Sequence, residues 1–167
     1  SGRRSVADFL RIRSRRPAAD LGAGVLIGSL GWVLTITATA GLVGLWFALR
    51  RSAPLPTSSD ASPLITWLVT QPIAVRIGIV LSAMVVEELF FRSFLQTRVG
   101  AIASTLMFTA AHGAYGEPLG LVGILVISSV LSLTFATFGN VLPCIIAHGT
   151  FDAIQMFVFI PLLLRAA

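Results

Sequence analysis

Few ionisable residues interrupt the long apolar segments of this sequence, and they fall into three short groups. The first group is EELFFR at residues 87–92, the second ends at His112, and the third holds His148 and Asp152. A charged side chain at the centre of a membrane helix costs about 2.5–3.5 kcal/mol on insertion scales, so such residues need partners or a function. Carboxylates and imidazoles together suit the activation of a water molecule and the stabilisation of an oxyanion.

The first group separates two neighbouring glutamates. Glu88 and Arg92 are four residues apart and share a helix face, which predicts an ion pair between them. Glu87 points about 100° away from Glu88, because each residue of an α-helix turns the chain by that angle. We therefore expect Glu88 to fix the geometry and Glu87 to keep a carboxylate able to take a proton. A buried structural network of all three side chains is the alternative.

The second and third groups each place a histidine one helical turn from a partner. Phe108 and His112 stack a ring and an imidazole on one face, although a lone histidine near a helix end is more often a packing or capping residue. His148 and Asp152 have the same spacing, so the carboxylate can orient and charge the imidazole. If the three faces converge, the site holds a free carboxylate, two imidazoles and a second carboxyl group.

The composition indicates that lipid is the solvent of this fold. Apolar residues make up 56% of the chain, charged residues make up 11%, and the mean hydropathy is +0.91. A soluble domain has about 25% charged residues. We therefore expect an all-α fold, a polytopic membrane helix bundle with the active site buried between its helices.

About five membrane helices are predicted. The expected segments are Leu21–Leu49, a helix from Ile65 or Ile73 to Val99, a short helix over 101–113, Leu119–Phe138 and Val141–Leu164. Pro72 either kinks the second helix or marks its start, Gly100 stops it, and Gly139 with Asn140 breaks the fourth. Glycines in the first helix suggest close helix packing or tilt; they are Gly22, Gly24, Gly28, Gly31, Gly41 and Gly44.

The charge of the chain indicates its orientation. The net charge is +5, all cations are arginines, and six of the twelve lie in the first twenty residues. Because this basic start leads into an apolar segment, the positive-inside rule predicts a cytoplasmic N-terminus, and we do not expect nucleic-acid binding. Cys144, the single cysteine, lies in an apolar run and is expected to be a packing residue.

The motifs EExxxR, FxxxH and HxxxD follow one another at residues 87–92, 108–112 and 148–152. In this order they resemble the motifs of the CPBP family, which comprises the CAAX prenyl proteases and bacteriocin-processing enzymes and is also called the Abi family. The resemblance covers roughly Leu64 to Phe159. It implies a helical membrane fold and an intramembrane glutamic endopeptidase without an obligatory metal or other cofactor. By this resemblance Glu87 and His112 activate the water, His148 and Asp152 form the oxyanion side, and Glu88 and Arg92 support the site. Many members carry Asn at the position of Asp152, and an ionised Asp cannot donate a hydrogen bond to an oxyanion.

The leading hypothesis is therefore a peptidase acting within or beside the membrane on a peptide or membrane protein. A prenylated CAAX peptide, a bacteriocin leader and a membrane-protein segment are all open as substrates. A zinc-dependent membrane protease is a second hypothesis, because Glu88, His112, His148 and Asp152 could be ligands, but there is no HExxH motif. A third class is a non-catalytic scaffold, an immunity protein or a proton-coupled transporter.

The expected organisation has four parts. Residues 1–20 form a basic cytoplasmic segment, 21–49 the first transmembrane helix, 50–63 a linker, and 64–164 the protease-like core. We expect the chain to reside in a bacterial cytoplasmic membrane.

Overall fold

The structure is a computed structural model that describes residues 5–50, 63–113 and 118–166. Its elements are α1 Val6–Phe9, α2 Pro17–Arg50, α3 Pro63–Thr70, α4 Ile73–Glu87, a π-helical segment Glu88–Gln96, α5 Thr97–Ala111, α6 Pro118–Phe138, α7 Leu142–Ile154, a second π-helical segment Gln155–Phe159 and α8 Ile160–Ala166. Every element within these ranges is helical, which confirms the predicted all-α class. Most of the linker predicted at 50–63 lies outside the described residues.

Within the described residues, three helical stretches are long and apolar enough to cross a bilayer. They are Pro17–Leu49, Pro118–Phe138 and Leu142–Leu163. The first begins before the predicted start at Leu21. The predicted second helix is not among these three. It corresponds to α4, of 15 residues, and the π-helical segment, of 9 residues, which continue into one another and carry the charges of the first motif. The helix predicted over 101–113 corresponds to the part of α5 that follows Gly100.

The predicted helix breaks lie where the backbone leaves helical geometry. Pro72 separates α3 from α4, so it marks the start of the second helix and does not kink it. Gly100 has φ 85° and ψ 168°, which ends the first turn of α5 and redirects the chain. Gly139 has φ 68° between α6 and α7. A positive φ is readily available only to glycine, so both residues suit the turns they make.

The apolar core lies between α6 and α7. Leu131, Val141, Cys144 and Ala147 are fully buried there, and the Cys144 thiol lies 3.5 Å from the carbonyl oxygen of Leu131. Cys144 is thus a packing residue, as predicted. Helix α2 covers one side of this core and exposes most of its remaining apolar surface. This exposed surface is what a lipid-facing helix presents to acyl chains.

Helix α2 approaches α7 through glycines. A Cβ atom on Gly24 would lie 2.6 Å from Cβ of Ile146, and one on Gly28 would lie 2.8 Å from Cβ of Thr150. Gly31 makes a similar approach to Ile127 of α6. The close packing predicted from the glycines is confirmed for these three. A Cβ placed on Gly22, Gly41 or Gly44 would have no described atom within 4 Å apart from those of its chain neighbours and of the α2 backbone.

The N-terminal segment folds back onto one end of the bundle. The carbonyl oxygen of Leu10 accepts a hydrogen bond from the Ser93 hydroxyl at 2.5 Å, and that of Arg11 accepts one from the amide of Val141 at 3.0 Å. Arg98 lies over the ring of Phe9 at 5.2 Å. These contacts tie the segment to the end of the π-helix and to the start of α7.

We predict that Gly28→Ala destabilises the bundle while Gly41→Ala does not. Both substitutions add one methyl group to α2, but only the methyl group on Gly28 meets the backbone of Ala147 and the side chain of Thr150. Overpacking of this kind costs about 1–3 kcal/mol. The free energy of unfolding, measured by titrating dodecyl sulfate into mixed micelles, should fall for the first variant only. Equal values for the two variants would show that α2 does not pack tightly on α7.

Candidate active site

A fully buried ion pair forms the centre of the site. Nε of Arg92 donates to Oε2 of Glu88 at 3.0 Å, and both side chains are 0% exposed. The ion pair predicted from the four-residue spacing is therefore present. Oε1 of the same carboxylate accepts a hydrogen bond from Nδ1 of His148 on α7 at 3.0 Å. Glu88 thus joins the first motif to the third, and both of its oxygens are engaged.

The rest of the Arg92 guanidinium faces serines of α6 and an aromatic ring of α5. Nη2 lies 3.2 Å from the Ser128 hydroxyl and Nη1 lies 3.5 Å from the Ser132 hydroxyl. The Phe108 ring lies below Cζ, with its centroid 4.9 Å away. The charge is therefore surrounded by a carboxylate, two hydroxyl groups and an aromatic face, which are the kinds of partner that a buried cation needs.

Ser132 is the hub of this polar network. Its hydroxyl group lies 2.9 Å from both Oε1 of Gln96 and the hydroxyl of Thr105. The Gln96 amide also donates to the Ser132 carbonyl at 2.9 Å. The hub links the π-helix, α5 and α6, so it fixes the distance between the elements that surround Arg92.

The first motif lies where an α-helix becomes a π-helix. Glu87 ends α4 and Glu88 begins the nine-residue π-helical segment. A π-helix shifts the backbone hydrogen bonds from i−4 to i−5, and such segments often occur at functional sites. The Phe91 carbonyl accepts a hydrogen bond at 2.7 Å from the Ser104 hydroxyl of α5, which gives this backbone group a partner outside its own helix.

His148 lies between two carboxylates. Beyond its bond to Glu88, its other ring nitrogen, Nε2, lies 3.3 Å from Oδ2 of Asp152. This contact matches the expectation that Asp152 orients the imidazole. The side chain of His148 is 8% exposed and that of Asp152 is 28% exposed, so the aspartate is the more open of the two.

Glu87 and His112 face each other on the other side of the site. Oε2 of Glu87 lies 3.6 Å from Nε2 of His112, and the side chains are 27% and 17% exposed. This carboxylate oxygen is buried but makes no hydrogen bond within the described residues. Nδ1 of His112 donates to the Phe108 carbonyl at 2.8 Å, and its ring stacks on that of Phe108 with centroids 4.5 Å apart. The stacking predicted for the second motif is present.

The Phe108 ring contacts one residue of each motif. It stacks on His112, approaches the ring of His148 edge-on with centroids 6.1 Å apart, and lies below Arg92. Glu87 joins this group through His112, and Glu88 and Asp152 join it through His148. The structure therefore brings all six predicted residues together.

Sequence reasoning missed the residues that hold Arg92. Ser128 and Ser132 are one turn apart in a helix without charged residues, and this spacing is the signal that could have revealed them. The contact between Glu88 and His148 was also not predicted. In the described part of the chain, no three His, Cys, Asp or Glu side chains are grouped to hold a common metal ion.

The fold and the site define an integral membrane helical bundle with an acid–histidine centre enclosed by its helices. The family described as type II CAAX prenyl endopeptidase Rce1-like matches residues 69–154, and the chain belongs to this family. The match confirms the resemblance found in the sequence, and the matched range contains all six predicted site residues. The family is one of proteases. Neither the comparison with curated proteins nor that with solved structures gave a match.

We predict that Ser132→Ala destabilises the protein and Ser129→Ala does not. Ser132 bonds side chains of two other elements, whereas the Ser129 hydroxyl bonds the Leu125 carbonyl of its own helix at 2.7 Å. Without the Ser132 hydroxyl, buried polar groups of Arg92, Gln96 and Thr105 lose a hydrogen-bond partner, and one such unsatisfied group lowers the free energy of unfolding by about 1–3 kcal/mol. Thermal unfolding in detergent should therefore show a lower midpoint for Ser132→Ala alone. A shared midpoint would mean that the hub does not support Arg92.

Proposed function

We propose that this protein is an intramembrane glutamic endopeptidase in which Glu87 and His112 activate the attacking water. The observation that carries the proposal is that Glu87 Oε2 faces His112 Nε2 at 3.6 Å and makes no hydrogen bond within the described residues. The pair sits at the edge of a buried polar centre in a chain of a protease family. A carboxylate with one free oxygen beside an imidazole is the arrangement that general-base catalysis requires.

The hydrogen bond from Nδ1 of His112 to the Phe108 carbonyl determines what the other ring nitrogen can do. In the neutral ring, Nε2 then carries a lone pair and accepts hydrogen bonds. A water molecule placed between Nε2 and Glu87 Oε2 donates one hydrogen to each and turns its own lone pair toward a substrate carbonyl. The water oxygen bonds to the carbonyl carbon as its proton passes to Glu87. When the carbon–nitrogen bond breaks, Glu87 returns that proton to the leaving amine.

Asp152 and His148 stabilise the oxyanion in this proposal. Oδ2 of Asp152 faces Nε2 of His148, which leaves Oδ1 to face the reacting carbonyl oxygen. If Oδ1 carries a proton, it donates to the oxyanion, while the His148 ring holds the carboxyl group in position. The greater exposure of Asp152 supports giving it the direct contact.

Glu88 and Arg92 support the site and do not react. Both oxygens of Glu88 already accept hydrogen bonds, and its side chain is fully buried. A carboxylate that is paired with an arginine and fully shielded from solvent is a poor general base, because no water molecule can reach it and its charge is already balanced. Its role is to hold His148 of α7 against the π-helical segment and to balance the charge of Arg92.

The substrate proposed is a peptide presented at the membrane, and a prenylated CAAX peptide is the first probe because of the family to which the chain belongs. The purified protein in mixed micelles would be given a fluorogenic farnesylated CAAX peptide. If the wild type does not cleave that probe, the membrane proteome of cells expressing wild type would be compared with that of cells expressing Glu87→Gln. Absence of any Glu87-dependent product in both assays would overturn the proposed function in favour of a non-catalytic role.

We predict that Glu87→Gln abolishes cleavage without changing stability, whereas Glu88→Gln lowers both. The first change removes the proton acceptor from a partly exposed side chain, while the second breaks a buried ion pair, which costs about 3–5 kcal/mol. Initial rates and thermal midpoints of both variants would be measured side by side.

The same assay includes 1,10-phenanthroline as a control, and wild-type activity should persist in its presence. Activity lost to the chelator and restored by zinc would favour a metalloenzyme. Near wild-type cleavage by Glu87→Gln would show that Glu87 is not the base.

A further prediction concerns Asp152, where Asn should retain substantial activity and Ala should lose most of it. Asn has nearly the same shape as Asp and its amide can donate a hydrogen bond to the oxyanion, whereas Ala leaves no donor. Initial rates of the wild type and both variants would be compared under the same conditions. If Asp152→Ala cleaves at the wild-type rate, Asp152 lies outside the site.

A further inference from the structure

A basic cleft lies at the start of α2, away from the residues proposed for catalysis. It has a volume of about 310 Å³ and opens between the N-terminal segment and the turn that joins α6 to α7. Arg13, Arg15 and Arg16 line one wall, and Gly139 and Asn140 line the other. The N-terminal segment therefore does more than carry charge, because its fold-back onto the bundle gives three guanidinium groups a shared concave surface.

The acidic residues around the cleft leave part of this charge uncompensated. Asp20, which also lines the cleft, is buried, and its Oδ2 accepts hydrogen bonds from Ser14 at 2.6 Å and from Asn140 at 3.0 Å. Asp8 lies 3.4 Å from Arg13. A hydrogen bond from the Ser5 hydroxyl lowers the pKa of Asp8 and so favours its ionised form. Arg15 and Arg16 make no ion pair within the described residues.

The position of the cleft identifies its ligand. Asp20 lies in the first turn of α2, and the uncharged part of that helix begins at the next residue, Leu21. The cleft thus lies where α2 enters the apolar layer, at the level of lipid headgroups. Arginine binds phosphate oxygens through several parallel N–H groups, and basic residues beside a membrane helix attract anionic lipids. We propose that this cleft binds the phosphate group of an anionic phospholipid through Arg15 and Arg16.

A lipid held there would also stabilise the elements that carry the site. The cleft wall continues directly into the backbone contacts of Leu10 with Ser93 and of Arg11 with Val141. Ser93 belongs to the π-helix and Val141 precedes α7, so fixing the N-terminal segment restrains both. A ligand that binds only the folded state raises the free energy of unfolding by RT ln(1 + L/Kd), where L is the free ligand concentration, so the unfolding midpoint rises with that concentration.

The test uses the full chain purified in dodecyl maltoside and measures its unfolding midpoint as phosphatidylglycerol is added. Wild type should gain several degrees. Arg15→Gln and Arg16→Gln should each raise the apparent dissociation constant about tenfold, as expected for one lost charge-assisted hydrogen bond. The matched control is Arg165→Gln, which removes the same charge from an exposed position on α8 and should bind as wild type does.

Three outcomes would overturn the proposal. Equal loss in Arg165→Gln would indicate general charge attraction without a built site. Equal stabilisation by phosphatidylcholine would remove the requirement for an anionic lipid, and equal stabilisation by inorganic phosphate would assign the cleft to a free anion.

Should Arg15→Gln or Arg16→Gln fail to fold, Arg→Lys at the same position keeps the charge but loses the parallel donors. A lysine variant that binds phosphatidylglycerol as tightly as wild type would contradict direct recognition of the phosphate by that arginine.

Discussion

The burial of Glu88 and Arg92 in a bundle surrounded by lipid governs the rest of this structure. Neither side chain reaches solvent, so each polar atom needs a protein partner. Those partners come from His148 of α7, from Ser128 and Ser132 of α6 and from the ring of Phe108 on α5. Satisfying two charges therefore sets the relative positions of three helices around the π-helical segment. Because Glu87 is the next residue along the backbone, the same pair also determines where the proposed base points.

The site is divided into a closed half and a more open half. Glu88, Arg92 and the hydroxyl groups around them form a saturated network, in which a change of protonation would leave a buried group without its partner. Glu87, His112 and Asp152 are partly exposed, and Oε2 of Glu87 makes no hydrogen bond within the described residues. This division explains how one pair of adjacent glutamates can serve two purposes. The backbone places one carboxylate in the network and its neighbour at the edge of the network.

Much of this arrangement follows from local sequence rules. Pro72, Gly100 and Gly139 predicted the breaks, because each residue restricts or frees a backbone angle in a known way. The Glu88–Arg92 pair followed from helical spacing. The Glu88–His148 contact joins residues sixty positions apart, and no local rule predicts such a distance. In the fold-back of the N-terminal segment, the hydrogen bonds are accepted by the backbone carbonyl oxygens of Leu10 and Arg11. Because every residue has a backbone carbonyl group, the residue types at these positions did not predict the contacts.

The π-helical segment has a consequence for how this chain tolerates insertions and deletions. Its wider winding takes more residues for each turn than α geometry does, so the segment Glu88–Gln96 holds extra chain length. A deletion there can be absorbed by closing the segment to α geometry, which leaves the flanking helices in phase. A deletion within α4, which is regular α-helix, would instead turn the residues on its two sides by about 100° relative to each other. The π-helical segment is therefore the place where this element can take up a change in length, at the cost of the contacts that Ser93 and Gln96 make.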